Sequence, residues 1–281
     1  LTLLIGTQTN GQGHATAYGQ IIAEQFGVDL DRITMIQGDT DRVRKGGGTG
    51  GSRSIPIGLP SVLEASRSLV KKIKDLAADK LEAGPEDLEL VDGEVRVVGT
   101  DRSVTLAEIA AAAPEQLTAS EEVKQAEATY PNGTHICELE VDPETGDIEL
   151  LDYVIVDDFG VTVNPILLAG QVHGGVVQAI GQALMEHTVY DEDGQLLTAS
   201  FLDYQMPRAA DIPGIRFETN NIPSTTNALG IKGAGEAGTI GAGPAVMNAV
   251  GDALRRGAGV AHIDMPATPL RVWEAIRAAN S

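Results

Sequence analysis

The stretch Leu1–Val28, LTLLIGTQTNGQGHATAYGQIIAEQFGV, decides how the chain is read. Its first eight residues read as a strand. A glycine turn follows, Gly11-Gln12-Gly13. Beyond it Tyr18, Ile21, Ile22 and Phe26 recur at helical spacing. Strand, glycine turn and helix in sequence make a unit of mixed α/β structure. The turn sits where the helix opens, and a helix N-terminus carries unpaired N–H groups and partial positive charge that bind anions.

The same grammar continues along the chain. DRITMIQGDTD is a short strand with a turn after it. The glycine loop Gly46–Ser54 opens into a long helix that Gly84-Pro85 stops. Val91-Asp92-Gly93-Glu94-Val95 predicts a hairpin on an Asp-Gly turn, and TLAEIAAAA a short helix. From about Ser120 the texture changes to strands. GTHICELEVDPETGDIELLDYVIVDDFG holds two long alternating runs around an Asp-Pro-Glu-Thr-Gly turn. NPILLAGQVHGGVVQAIGQALMEH is a long helix with Pro165 near its start. GPAVMNAVGDALRR and TPLRVWEAIRAA are two more. The expectation is an α+β fold of two α/β subdomains, residues 1–128 and 129–281.

Composition narrows the function classes. The 281 residues are 42% hydrophobic and carry a net charge of −20. Such a surface repels nucleic acid and anionic membranes, which require clustered Lys and Arg. No apolar run approaches the roughly 20 residues that span a bilayer, and no basic-then-apolar leader is visible. Cytoplasmic residence is therefore expected. The chain opens in a strand without Met, which suggests a processed chain or a piece of a longer one. The single cysteine, Cys137, excludes an internal disulfide and a multi-cysteine zinc or iron–sulfur site. In THICELEV it reads as a small core residue.

Three glycine-rich segments share one physical idea: Gly11–His14, Gly46–Ser54 and Gly233–Gly243 each precede a helix. Each alone reads equally as a loop and cap. Together they point to a bound phosphorylated ligand. GAGEAG formally fits the dinucleotide fingerprint, but no buried strand precedes it, and the nearest suitably spaced acid, Asp252, lies inside a helix. His14 and His173 lack partners at metal-ligand spacing and read as hydrogen-bonding or packing residues. No metal ligands are assigned. Asp39, Asp41, Asp157 and Asp158 are read as solvated or capping acids. Glu236 stands alone among glycines, either as a solvated turn residue or as a carboxylate aimed at something.

Four collinear motifs carry a resemblance over nearly the whole chain: GTQTNGQGHATAYGQIIAEQFGV, GDTDRVRKGGGTGGSRS, VDDFGVTVNPILLAGQVHGGVVQAIGQAL and GIKGAGEAGTIGAGPAVMNAVGDAL. They resemble the molybdenum-binding subunit of the xanthine dehydrogenase family, which includes aldehyde oxidases and the large chain of carbon monoxide dehydrogenase. The resemblance implies two subdomains around a molybdopterin cofactor, in its cytosine dinucleotide form, held jointly with a segment upstream of this chain. Gln12, with Gly13 and His14, matches the family's glutamine beside the metal. Gly51, Ser52, Arg53 and Ser54 match the loop that holds phosphate and pterin. Asn164 and Gln171 match a nearby turn and a pterin-contacting glutamine. Glu236, after Gly235, matches the catalytic glutamate.

The implied activity is hydroxylation of an aldehyde or N-heterocycle, or oxidation of carbon monoxide, with water as oxygen source and Glu236 as general base. General-base catalysis is typically worth roughly 10²–10⁴-fold. A glycine-lined loop is expected to let that carboxylate approach the reacting centre. Family subunits are longer, so the chain is expected to be a fragment or split subunit, inactive alone. Its expected partners are the N-terminal half of the subunit, iron–sulfur and flavin subunits bearing the clusters and FAD, and a small-molecule substrate, within an oligomer. Two other classes stay open: a non-catalytic module holding a phosphorylated ligand, and a structural half that completes a partner's site.

Overall fold

A computed structural model describes residues 1–124 and 127–280. The architecture is α+β, in two units. The first holds Leu1–Thr129 and Ser224–Ile231, the second Tyr130–Pro223 and the residues from Lys232 onward.

In the first unit, β1 (Thr2–Leu4) lies parallel to β2 (Thr34–Ile36), with Leu3 opposite Met35. Between them runs α1 (His14–Phe26), which starts after Gly13 at φ 78° and stops at left-handed Gly27. The long α2 (Ser54–Leu81) ends one turn before Gly84-Pro85, because Glu82 takes the left-handed cap at φ 46°. Tyr18, Ile22 and Phe26 of α1 and Leu59, Val62 and Leu63 of α2 are buried. Fully burying side chains of this size contributes about 1.5–3 kcal/mol each. The expected hairpin forms as β3 (Leu88–Val91) and β4 (Glu94–Val97), with Asp92 and Gly93 both at positive φ, as a type I′ turn requires. Strand β5 (Ser103–Thr105) joins β4, and α3 (Leu106–Ala112) opens with a capping box between Thr105 and Glu108.

In the second unit, β6 (Asn132–Val141) and β7 (Ile148–Asp158) pair antiparallel, with His135 opposite Ile155. These long strands begin at Asn132, later than the change of texture at about Ser120; Gln125 and Ala126 lie outside the described residues. A short strand not foreseen from sequence, β8 (Ile215–Thr219), adds parallel to β7. The inward residues of β6, Cys137, Leu139 and Val141, pack on a core built by α4 (Pro165–Leu184) and α5 (Ala237–Ala258). Val172, Val176, Ala179 and Ile180 of α4, with Ala242, Val246 and Val250 of α5, are sealed from solvent. A last helix, α6 (Pro269–Ala279), contributes Val272 and Ile276.

Helix α5 corrects the sequence reading. Gly243-Pro244 looks like a helix start, because proline is favoured in the first turn. The helix instead begins at Ala237 and runs through Pro244. The reason is a close crossing of α4 and α5. A methyl group on Gly238 would lie 2.3 Å from the Val172 carbonyl oxygen, and one on Gly175 would lie 2.9 Å from the Thr239 nitrogen. Gly241 faces the His135 imidazole, which a methyl there would meet at 2.6 Å. Gly175, Gly238 and Gly241 thus serve close packing within the second unit.

Candidate functional site

The first unit brings two of the glycine-rich segments together. Gly6 and Gly46 cross so closely that a methyl on Gly6 would lie 2.4 Å from the Gly46 Cα. Only glycine at both positions allows that crossing. Gly48 N donates to Gly6 O at 3.1 Å. The Gln8 carbonyl then accepts from both Thr49 Oγ1 and Gln12 Nε2, the latter at 3.3 Å. Gln12 folds back on its own loop, its Oε1 accepting the Asn10 N–H. Gly51 and Ser52 both adopt left-handed backbone, at φ 58° and 54°. Arg53 turns its guanidinium onto the carbonyls of Gly47 and Gly48. No side chain caps α1 or α2.

Beneath these loops lies a polar network that sequence reasoning missed. The Tyr18 hydroxyl donates to the Ser54 carbonyl at 2.8 Å and pairs with Thr7 Oγ1 at 3.0 Å. Burial pushes the Tyr18 phenol up to about 12, so it stays a donor. Gln37 Nε2 bonds Thr7 Oγ1 at 2.9 Å and lies 3.2 Å from His14 Nδ1. His14 is only 1% exposed, and burial lowers its pKa despite the Gln37 bond. It is thus a neutral imidazole at pH 7. Its Nε2 and the Gln37 Oε1 are buried without a hydrogen-bond partner. Buried polar atoms are normally satisfied, so these two mark a place where a polar group fits. Ser54, expected at the cofactor, is itself buried and pairs with Thr49 Oγ1 at 2.8 Å.

The second unit places the remaining candidates on α4 and α5. Asn164 caps α4, accepting the Leu167 N–H at 3.0 Å. Gln171 follows on the same helix, half-buried and adjacent to Val172, whose carbonyl faces Gly238. Glu236 is the exposed N-cap residue of α5, and Gly235 before it is exposed too. The crossing thus lies at the start of α5 and near the middle of α4, next in sequence to Glu236 and to Gln171. His173, also on α4, stacks edge-on against Phe217 at 6.2 Å, the packing role expected of it. The Cys137 thiol is pushed up to about 11 by burial, which makes it a poor nucleophile and fits its core reading.

Of the two roles expected of Asp157 and Asp158, solvated or capping, the structure shows the capping one at Asp158 and solvation at neither. They are 4% and 6% exposed, not solvated. Asp158 Oδ1 accepts from Gly160 N and Ile222 N at 2.9 and 3.0 Å, and its Oδ2 accepts from Lys232 Nζ at 2.5 Å. Burial pushes the Asp158 carboxyl up, but the Lys232 ammonium and the two N–H donors outweigh it and hold the group below its ordinary value. Asp157 Oδ1 lies 3.6 Å from His135 Nε2, whose Nδ1 is 3.0 Å from the Tyr153 hydroxyl. The doubled acid at a strand end was the signal; only the three-dimensional partners give it meaning. Among the described residues no helix is long and apolar enough to cross a membrane.

The fold and these loops define an α+β protein in which glycine-rich turns feed helix N-termini above buried polar groups. Residues 1–213 match the molybdopterin cofactor-binding domain, and the chain belongs to that family. It is 36% identical, over all of its length, to the 6-hydroxypseudooxynicotine dehydrogenase complex subunit gamma of Paenarthrobacter nicotinovorans. It is 34% identical over 98% of its length to the carbon monoxide dehydrogenase large chain of Hydrogenophaga pseudoflava. The chain covers 36% and 35% of those two proteins, about a third of each. The crystal structure of quinoline 2-oxidoreductase from Pseudomonas putida 86 superposes over 98% of the chain with a TM-score of 0.86, at 34% identity, while the chain covers 36% of that one.

Proposed function

We infer that this chain is the C-terminal part of a molybdenum hydroxylase, and that Glu236 is its general base. The observation that carries this reading is the position of Glu236. It is the N-cap of α5, exposed, beside a helix crossing that also carries Gln171. The cofactor is molybdopterin cytosine dinucleotide. It is held by Gln12, Gly13 and His14 at the start of α1, by Gly51–Ser54 at the start of α2, and by Asn164, Gln171 and Gly235. The unpartnered His14 Nε2 and Gln37 Oε1 support a polar group seated above them. The two uncapped helix N-termini support the binding of phosphate.

When bound, the molybdenum centre supplies a two-electron acceptor and the chemistry of oxygen transfer from water. The protein's own part is to place a carboxylate and take a proton. A Glu236 carboxylate oxygen accepts the proton released as oxygen reaches an electrophilic carbon of an aldehyde, an N-heterocycle or carbon monoxide. Residues 1–128 and 129–281 act as subdomains of a longer cytoplasmic subunit. That subunit works in an oligomer with iron–sulfur and flavin partners, which pass the electrons on.

The test is Glu236→Gln in the full-length, molybdenum-loaded enzyme. The amide keeps the shape but cannot accept the proton. Single-turnover reduction of the metal by substrate should fall roughly 10²–10⁴-fold, with molybdenum content unchanged. Ser52→Ala should instead lower molybdenum per protomer. A near-normal single-turnover rate for Glu236→Gln with full cofactor refutes the assignment.

A further inference from the structure

Glu236 stands between two anchored points. On its N-terminal side, Lys232 is held twice at the end of β7. Its backbone N–H donates to Phe159 O at 2.9 Å, and its ammonium donates to Asp158 Oδ2 at 2.5 Å. The two side chains are 11% and 8% exposed. Asp158 cannot swing away, because its other oxygen is fixed by the N–H groups of Gly160 and Ile222.

On the C-terminal side, the first turns of α5 are seated from two directions. Thr239 Oγ1 donates to Gly175 O at 2.9 Å. Gly241 lies under the His135 ring, which Tyr153 and Asp157 flank from β7. Gly133 makes room for that arrangement, since a methyl there would fall 1.8 Å from Asp157 Oδ1. The adjacent acids therefore act on opposite flanks of one segment.

Stability alone does not explain a buried ion pair at this place. Replacing such pairs by well-packed apolar groups is often neutral or stabilising. What the ion pair supplies is direction: it fixes one lysine, and with it the backbone that leads to Glu236. Functional groups act well only when their supporting residues are locked.

We propose that Lys232 with Asp158, and His135 with Asp157, are positioning residues that fix residues 232–241 from both flanks and so set where the Glu236 carboxylate stands. This rests on the general-base reading of Glu236, but its primary test does not use catalysis. In the full-length protein, Lys232→Met keeps the aliphatic stem and removes the ammonium, while Lys232→Arg keeps a cation. Hydrogen exchange should quicken about tenfold or more at amides 233–240 in Lys232→Met, a local opening. Exchange in β6 and β7 should not change, and Lys232→Arg should restore the slow rate. Gly241→Ala, which displaces His135, should loosen the same amides.

In the assembled enzyme Lys232→Met should lower kcat with KM unchanged, and Lys232→Arg should recover it. Unchanged exchange at 233–240 in both Lys232→Met and Gly241→Ala overturns the proposal. So does faster exchange spread evenly over the second unit. Local loosening combined with a fully active Glu236→Gln leaves the anchors standing and removes only the base.

Discussion

Replacing Gly238 by alanine should push α4 and α5 apart. The new Cβ would sit 2.3 Å from Val172 O and 3.0 Å from Val176 N. Both atoms belong to the backbone of α4, so no rotamer change relieves the clash. The helices must separate by about 1 Å, which forfeits dispersion contacts along the whole seam. Overpacking of this kind costs about 1–3 kcal/mol, and a clash between backbones sits at the upper end. Alanine returns about 1 kcal/mol of helix propensity over glycine, so the net loss is about 2 kcal/mol. Gly251 is the control. It lies in the same helix, at negative φ, and a methyl there meets nothing within 4 Å. Gly251→Ala should therefore stabilise by about 0.5–1 kcal/mol. For a unit of this size each kcal/mol moves the melting midpoint by about 2–4 °C. Circular-dichroism melts should place Gly238→Ala about 4–8 °C below the parent and Gly251→Ala a few degrees above it. If both variants shift the same way by the same amount, the glycines of α5 are not packing glycines and the reasoning fails.

Two titrations test the buried charges and rings. The carboxyl of Asp158 is held below its ordinary value of 3.8, so its contribution to stability is present above that pH and lost as pH falls through its folded value. Urea midpoints of the parent and Asp158→Asn, measured from pH 7 to pH 2, should differ most above pH 4 and converge below it; a gap that widens in acid contradicts the Lys232 pairing. His14 is lowered from 6.5 by burial, so the folded state resists its protonation and loses stability as pH falls below 6.5. Its imidazole should titrate below 6.5 by NMR, and a value at or above 6.5 would mean that His14 is not buried as described.

Much was legible in the sequence because the signals are local. The Asp92-Gly93 turn demands positive φ at two residues, so the β3–β4 hairpin could be read from a dipeptide. The alternation in THICELEV gave β6 and its inward face, since successive strand residues point to opposite sides. Pro165 marked the start of α4, because a proline without an N–H belongs in the first turn. Four motifs in one order carried the family. Other features depend on partners far away in the chain. The start of α5 at Ala237 follows from α4 packing against Gly238, which no local propensity records, and Gly243-Pro244 pointed elsewhere. The burial of Asp157 and Asp158 depends on His135 and Lys232, and the network under His14 depends on Thr7 and Gln37. Sequence by itself determined which residues cap, turn and alternate, because those rules act within a few residues. Tertiary structure alone decided which glycines are packing contacts and which carboxylates are buried, because desolvation and close approach are set by whatever the fold brings alongside.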